Sequence, residues 1–294
     1  MKGKARPEGY SPQDVAEILE AVNDAGATLV GGQAINVWSE LLQRPDTPPW
    51  SEQRPFTSLD VDALGDRSNL LSLARRLEAS GLAVEVTLAE TVQEQRINTG
   101  ILRVWPKTGR ESKRPSEGLL VNLLSSPLGL SAPEVRALRI IMPFENVLVP
   151  LLHPVLCVES KAYNLNELEQ DTPGLERQDR KHLILAIANC REYLAPLCEN
   201  PGMLRWGQRI VDLAYHQLGL ATLRHHHLDV LEGVPWERWT LSPTPEITAF
   251  ATEKNKFHTE RDERLRAEDE LETWLASLKQ SDRTKGPHRN SKGD

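Results

Sequence analysis

The two halves of this 294-residue chain differ in the spacing of their apolar residues, and this difference limits the folds open to it. Before about residue 150, short apolar runs alternate with amphipathic segments, as strands alternate with helices. After it, long segments carry apolar residues at three- and four-residue spacing, which is typical of helices. The pattern predicts an α+β fold, in which a mixed β-sheet flanked by helices precedes a helical C-terminal region.

The same change in pattern divides the chain into three expected regions. We expect a domain with the sheet over residues 1–150 and a helical domain over residues 151–278. Residues 279–294 contain five Lys and Arg against two Asp and no large apolar side chain. Such a segment cannot bury enough apolar surface to fold, so we expect a disordered basic tail there.

The expected helices in the first half begin with residues 11–25, where Ser11 would be the N-cap and Pro12 the first helical residue. A second helix follows the glycine pair in ATLVGGQAINVWSELL, and a third, DRSNLLSLARRLEAS, ends at Gly81. Residues 43–57 hold four prolines and are predicted to be an irregular loop. The expected strands are the one before the glycine pair, SLDVDAL, LAVEVTL, INTGILRVW and GLLVNLL, with a polar turn at residues 107–116 between the last two.

Three segments in the second half are predicted to be helices because their apolar residues recur every three or four positions. They are PVLCVESKAYNLNELE, ERQDRKHLILAIANCREYLA and GMLRWGQRIVDLAYHQLGLATL. A highly charged helix is expected over residues 252–278.

Composition excludes several classes of protein. Apolar residues make up 39% and charged residues 26% of the chain, as in ordinary globular proteins. No apolar run reaches the ~18–20 residues that cross a bilayer, so we expect no membrane partner, and the start lacks a secretory signal. Cys157, Cys190 and Cys198 have no metal spacing and are expected to be buried thiols of a cytoplasmic protein. A net charge of −7 argues against coating of nucleic acid by the whole surface.

The pattern that carries chemistry is Gly31-Gly32 between a strand and a helix, followed by Asp60-Val61-Asp62 on a strand. Side chains two residues apart on a strand share a face, and a divalent cation, Mg²⁺ or Mn²⁺, would relieve the repulsion between these carboxylates. The glycine pair lets backbone amides approach a phosphate at a helix N-terminus, and Ser58 is a further candidate contact. Such a site suits nucleotidyl transfer, in which the metal neutralises the triphosphate and the leaving pyrophosphate.

LVGGQAINVW and SLDVDAL resemble the polymerase-beta-like nucleotidyltransferase superfamily, whose pattern is a Gly-Gly or Gly-Ser turn followed by Asp-hydrophobic-Asp. Over roughly residues 25–190 the chain is most similar to the AbiEii-type group of toxin–antitoxin and phage-defence systems. The resemblance implies a magnesium-dependent transfer of a nucleoside monophosphate from an NTP to an RNA, such as tRNA, or to a protein, with a cognate antitoxin as a partner. It also implies that Lys161 braces the triphosphate, and that Arg177, Asp179 and Lys181 match the family's basic helix.

The chain departs from the family pattern at three points. A long proline-rich insertion separates the glycine pair from the first Asp, and Phe56, with Arg54 nearby, stands where the family often has an Arg. The third family carboxylate falls on the strand GLLVNLL, where the residue is Asn122. Because Asn cannot accept a proton and is a weaker ligand, a second hypothesis is a nucleotide- or RNA-binding module with impaired catalysis. Glu85 on an earlier strand is a weaker candidate for the missing acid.

A third hypothesis rests on Arg177 and His182, which have the Arg-x4-His spacing of the HEPN-type ribonucleases. In that class, Arg and His on a helix cleave RNA without a metal. Each pattern also has a purely structural explanation. Most Asp-x-Asp pairs are solvated strand ends, most glycine pairs are tight turns, and a lone helical lysine such as Lys161 is most often a surface residue.

Overall fold

The computed structural model describes residues 10–42, 50–54, 56–91, 98–106, 118–168 and 177–284. Within these ranges a seven-stranded mixed sheet is flanked by helices and followed by a helical region, which confirms the architecture expected from the sequence. The strands are β1 (Thr28–Val30), β2 (Asp60–Leu64), β3 (Leu82–Leu88), β4 (Asn98–Pro106), β5 (Leu119–Leu124), β6 (Ile140–Phe144) and β7 (Val147–Leu151). The α-helices are α1 (Ala16–Asp24), α2 (Gly31–Leu42), α3 (Trp50–Gln53), α4 (Arg67–Ala79), α5 (Ala132–Leu138), α6 (Pro154–Glu167), α7 (Asp179–Leu194), α8 (Leu204–Tyr215), α9 (Gln217–His226), α10 (Trp236–Trp239), α11 (Pro245–Thr252) and α12 (Lys254–Thr284).

The register at the centre of the sheet prepares the functional site. The strand order is β3-β4-β5-β2-β1-β7-β6, with β2 antiparallel to β1 and parallel to β5. Asp62 pairs with Val30 on one side and with Asn122 on the other. Directly paired residues point their side chains to the same face. The register therefore places Asp62 beside Asn122, and Gly31 directly follows the paired residue of β1.

Two strands were not expected from the sequence. β6 and β7 form an antiparallel hairpin whose turn contains Glu145 at a φ of 51°. β7 also pairs in parallel with β1, so the sheet reaches one residue beyond the predicted limit at residue 150. Pro143 and Pro150 lie within these strands and obscured them in the sequence, because proline is depleted from sheet interiors.

The helix at the N-terminus and the one around residue 216 differ from expectation. A 3₁₀ turn over Gln13–Val15 precedes α1, and Ser11 Oγ accepts the amide of Asp14 at 3.2 Å, so Ser11 caps the 3₁₀ turn. The long helix predicted after residue 201 is two helices, α8 and α9, because His216 leaves the helical conformation and its Nδ1 accepts the amide of Leu218 at 3.3 Å. The side chain of His216 thus starts a new helix.

Two predictions about loops and the tail were partly wrong. Residues 50–53 of the proline-rich segment form the short helix α3, and the rest of that segment is described only in part. The charged helix expected to end at residue 278 continues to Thr284 as α12, so the first part of the predicted tail is helical. Residues 285–294 and the turn predicted at 107–116 lie outside the described residues.

One continuous apolar core joins the sheet to the helices that follow it. Trp38 on α2 is fully buried, and its Nε1 donates to the carbonyl of Leu152 at 2.9 Å. Asn189 on α7 donates to the carbonyl of Ile35 at 3.0 Å, which fixes α7 against α2. These contacts hold the start of α7 over the central strands.

Two expectations from composition concern thiols and membranes. The three cysteines are free; Cys157 and Cys190 are buried, whereas Cys198 is partly exposed. No helix within the described ranges combines the length and apolar character that a membrane crossing requires.

Candidate functional site

The glycine pair brings the start of α2 against the central strands. Gly31 has a φ of +66°, and a β-carbon there would stand 2.9 Å from Asp62 Cβ and closer still to its carboxylate. A β-carbon on Gly32 would lie 2.5 Å from His182 Cε1 and 2.7 Å from Ser58 Oγ. Only glycine fits both positions. We call these two residues the glycine elbow; the first amides of α2, which have no partner within the helix, begin there.

Asp60 and Asp62, the acidic pair, lie on one face of β2 and share a hydrogen-bond donor. Asn122 Nδ2 donates to Asp60 Oδ2 at 3.1 Å and to Asp62 Oδ1 at 2.9 Å. Ser58 is buried, and its Oγ lies 3.4 Å from Asp60 Oδ1. An amide group therefore stands between the two carboxylates.

The surroundings of Asp62 favour a neutral carboxyl group. Burial, and then the charge of Asp60, raise the pKa of Asp62 to about 7. The hydrogen bond from Asn122 and the charge of Lys161 act in the opposite direction and are outweighed. The acidic pair thus lacks enough positive charge among its protein neighbours.

The residues present fit a hard divalent cation. The described residues contain no cluster of three or more His, Cys, Asp or Glu side chains suited to a metal. The available set is the acidic pair together with the amide oxygen of Asn122, which turns towards the carboxylates when the amide rotates about χ2. Such an all-oxygen set suits Mg²⁺ or Mn²⁺ and not a metal that prefers sulfur.

A buried ion-pair cluster faces the acidic pair. Lys161 Nζ on α6 lies 2.8 Å from Asp179 Oδ1, and Arg177 Nε lies 2.6 Å from Asp179 Oδ2. Lys161 is only 5% exposed, so it is not the surface lysine of the structural explanation. Burial raises the pKa of Asp179, but the two cations outweigh it and hold the pKa at about 2. We call Lys161 and Arg177 the basic wall.

A cavity of about 180 Å³ separates the acidic pair from the basic wall. Ligand sites for whole small molecules usually measure ~300–1,000 Å³, so this cavity has room for a polyphosphate end and not for a complete nucleotide. The other residues that line it are Gly32, Ser58, Leu59, Asn164, Gln178, Asp179 and His182.

The residues of the third hypothesis also line this cavity. His182 is 3% exposed, and its Nε2 lies 3.3 Å from the carbonyl oxygen of Thr57. Burial, reinforced by the charge of Lys161, lowers the pKa of His182 to about 3. Arg177 is held by Asp179. A neutral, buried imidazole is poorly placed to donate a proton to a leaving group near pH 7.

Glu85 does not complete the acidic pair. It is exposed on β3, which is separated from β5 by β4, and it pairs with Arg103. The suggestion that Glu85 replaces the missing acid is therefore wrong. Arg54 lies over the ring of buried Phe56 at 4.9 Å from its centroid, outside the residues that line the cavity. Lys181 is half-buried beside the cavity, and burial lowers its pKa.

Sequence reasoning missed two polar residues of the cavity. Asn164 follows Lys161 by one helical turn, a spacing that puts both on one face of α6, and this signal was available. Gln178 directly precedes α7, and its Oε1 is buried without a hydrogen-bond partner among the described residues. Nothing in the local sequence distinguishes Gln178 from an ordinary loop residue.

Neither a protein-family model nor a curated protein matches the sequence. The function of the chain is therefore inferred from the chemistry of this cavity. Its walls combine paired carboxylates, paired cations and a glycine elbow at a helix N-terminus.

Proposed function

We propose that this chain is a magnesium-dependent nucleotidyltransferase of the polymerase-beta-like superfamily, within its AbiEii-type group. It transfers a nucleoside monophosphate from an NTP to a hydroxyl of an RNA, such as tRNA, or of a protein. The observation that carries the proposal is the meeting of the acidic pair, the glycine elbow and the basic wall around one small cavity. A polyphosphate with a divalent cation matches all three groups at once.

The acidic pair and the amide oxygen of Asn122 would hold the cation. When bound, the cation neutralises the triphosphate and stabilises the pyrophosphate that leaves. Position 122 explains a graded effect, since an amide oxygen is a ligand but carries no charge. The site therefore holds the cation more weakly than a site with three carboxylates would.

The phosphates would lie between the helix N-terminus and the basic wall. Unpaired amides at the start of α2 favour negative charge, and glycine at positions 31 and 32 leaves them accessible. Lys161 is already fixed by Asp179, so its ammonium group needs little reordering to meet a phosphate. Arg177 keeps further donors because only its Nε contacts Asp179 in the bond described above.

Transfer forms a bond from the acceptor oxygen to the α-phosphorus and breaks the bond from that phosphorus to the bridging oxygen of the pyrophosphate. The acceptor proton needs a base. Asn122 cannot accept it, Asp179 is held as a carboxylate by two cations, and the pKa of His182 is about 3. Of the described residues that line the cavity, the acidic pair remains, so the proton passes to it.

A transfer assay with α-labelled NTPs tests the proposal. The native chain is incubated with each NTP, Mg²⁺ and either total tRNA or the protein itself as acceptor. We expect label on an acceptor with Mg²⁺ and none in EDTA, and we expect Asp60→Asn and Asp62→Asn to abolish the transfer. NTP binding that survives both substitutions with unchanged affinity would contradict the assignment of the site.

The binding module remains the second candidate because of one observation, the amide of Asn122 between the carboxylates. The two candidates differ in the response to Asn122→Asp. Transfer by the native chain supports the enzyme, whereas transfer only by the Asn122→Asp variant identifies a chain whose catalysis is impaired. Binding of NTP without transfer by either form identifies a module, and EDTA-resistant RNA cleavage would favour the ribonuclease.

A further inference from the structure

The last helix carries an exposed apolar surface that no other described residue covers. Leu271, Trp274, Leu275 and Leu278 are 53%, 56%, 43% and 42% exposed. Their spacing of three, four and seven residues puts them on one face of α12. We call these four residues the apolar stripe. Single exposed apolar residues are common on proteins, but a contiguous row on one helix face marks a contact surface.

The stripe begins where α12 leaves the body of the protein. Phe257 and Arg261 are buried at the base of the helix, and Arg224 on α9 lies 2.9 Å from Asp269 Oδ1 and 3.0 Å from Glu272 Oε1. Every residue from Asp269 to Leu278 is exposed. The helix is therefore anchored at its root and presents the stripe to solvent.

The rest of the chain offers no matching cover nearby. Residues 285–294, which follow α12, hold no large apolar side chain. A basic, polar segment of this kind cannot remove four large apolar side chains from water. The occupant of the stripe must therefore bring its own apolar face.

We propose that the apolar stripe pairs with the stripe of a second copy of this chain, as two antiparallel helices. Charge supports this occupant and this direction. Residues 268–272, before most of the stripe, include four acidic residues and no basic one, whereas residues 279–285, after it, include three basic residues and one acidic residue. Antiparallel pairing sets the acidic part of each copy against the basic part of the other, while parallel pairing sets like charges together.

A two-fold axis between positions 274 and 275 completes the match. It places Trp274 of each copy against Leu275 of the other, and Leu271 against Leu278. The same patch then serves both copies, as a closed dimer requires. The four side chains bury about 400 Å² per copy, below the ~800 Å² per partner of a standard interface, so the dimer dissociates in the micromolar range.

Sedimentation equilibrium of the full chain over a concentration series tests the pairing. We expect a monomer–dimer equilibrium that Trp274→Glu and Leu278→Glu each weaken by at least about 100-fold. Leu241→Glu is the matched control because Leu241 is 83% exposed and lies outside the stripe; it should leave the equilibrium unchanged. All three variants should keep the native melting temperature, since none of these side chains is buried. A monomer at every concentration, or a dimer that survives both stripe substitutions, would overturn the proposal.

The direction of pairing has its own measurement. A spin label on Glu263→Cys, in a Cys198→Ser background with the buried Cys157 and Cys190 retained, reports the distance between the two copies. Antiparallel helices centred at position 274.5 separate the labels by about 35 Å at 1.5 Å per residue. Parallel helices keep them within about 10 Å. A single short distance would therefore overturn the antiparallel arrangement, and loss of the dimer at high salt would support the role of charge.

Discussion

Gly31 and Asp62 lie so close that a β-carbon on residue 31 would overlap the carboxylate of Asp62. The two residues are 31 positions apart in sequence, and the pairing of Val30 with Asp62 brings them together. The left-handed backbone of Gly31 then turns the chain from β1 into α2 directly over the carboxylate. This contact links the glycine elbow to the acidic pair and makes each dependent on the other.

Gly31→Ala should therefore be more damaging than an ordinary substitution of a left-handed glycine. Gly81 also has a positive φ, but a β-carbon there would meet nothing within 4 Å, so Gly81→Ala is the matched control. We expect Gly81→Ala to lower the free energy of unfolding by about 1 kcal/mol and Gly31→Ala by about 1–3 kcal/mol more. Urea denaturation measures both. Equal losses would show that the close contact has no energetic consequence.

Asn122→Asp should make stability depend on divalent cations. Removing the amide donor and adding a third carboxylate increases repulsion in a buried site, so without a cation at pH 8 we expect a loss of about 1–3 kcal/mol. Mg²⁺ should restore more stability to this variant than to the native chain. Melting curves in EDTA and in Mg²⁺ measure the difference. Asn122→Ala, which adds no charge, should show the smaller Mg²⁺ response; an equal response from both variants would argue against a cation at this position.

The pair Lys161–Asp179 should show strong coupling in a double-mutant cycle. Lys161→Met leaves Asp179 with Arg177 alone, and Asp179→Leu leaves a buried ammonium group, so each single change should cost about 3–5 kcal/mol. The double variant should recover part of this loss. If Lys161 also meets phosphate, nucleotide affinity stays low in the double variant even though stability returns. Recovery of both would assign Lys161 a purely structural role.

Acid should destabilise the protein partly through His153. This side chain is 4% exposed and stacks on Trp206 at 3.9 Å between ring centroids. Burial, then Arg205 and Arg209, lower its pKa to about 3, below the value of 6.5 in the unfolded chain. The unfolded state thus binds a proton first, and stability present above pH 6.5 falls as the pH drops towards 3.

We expect His153 to account for a loss of about 2 kcal/mol between pH 7 and pH 5. His153→Asn retains a capping side chain for α6, lowers stability at pH 7 and flattens this slope. His182 contributes in the same direction, whereas Asp62, whose pKa is raised, contributes in the opposite direction between about pH 4 and 7. Urea denaturation at several pH values measures the difference between variant and native chain. Parallel profiles would contradict the prediction.

Much of the fold could be read from local patterns. The strand of the acidic pair and the helix after Gly32 appear where periodicity predicts them, and Asp66 and Gly81 bound α4 as capping rules require. The hairpin of β6 and β7 escaped because its prolines hide the alternation and its pairing partners lie far away in sequence. Long-range pairing outweighs local preference in such strands.

The sequence by itself determined which residues could meet a cation and a phosphate, since residue type and a two-residue spacing are local properties. Only the tertiary structure decided which groups face them. The register of β2 and β5 puts the Asn122 amide between the carboxylates, and the packing of α7 on α2 brings Asp179 to Lys161. These contacts join segments more than fifteen residues apart, and their geometry depends on how the whole core packs, which no single stretch of chain encodes.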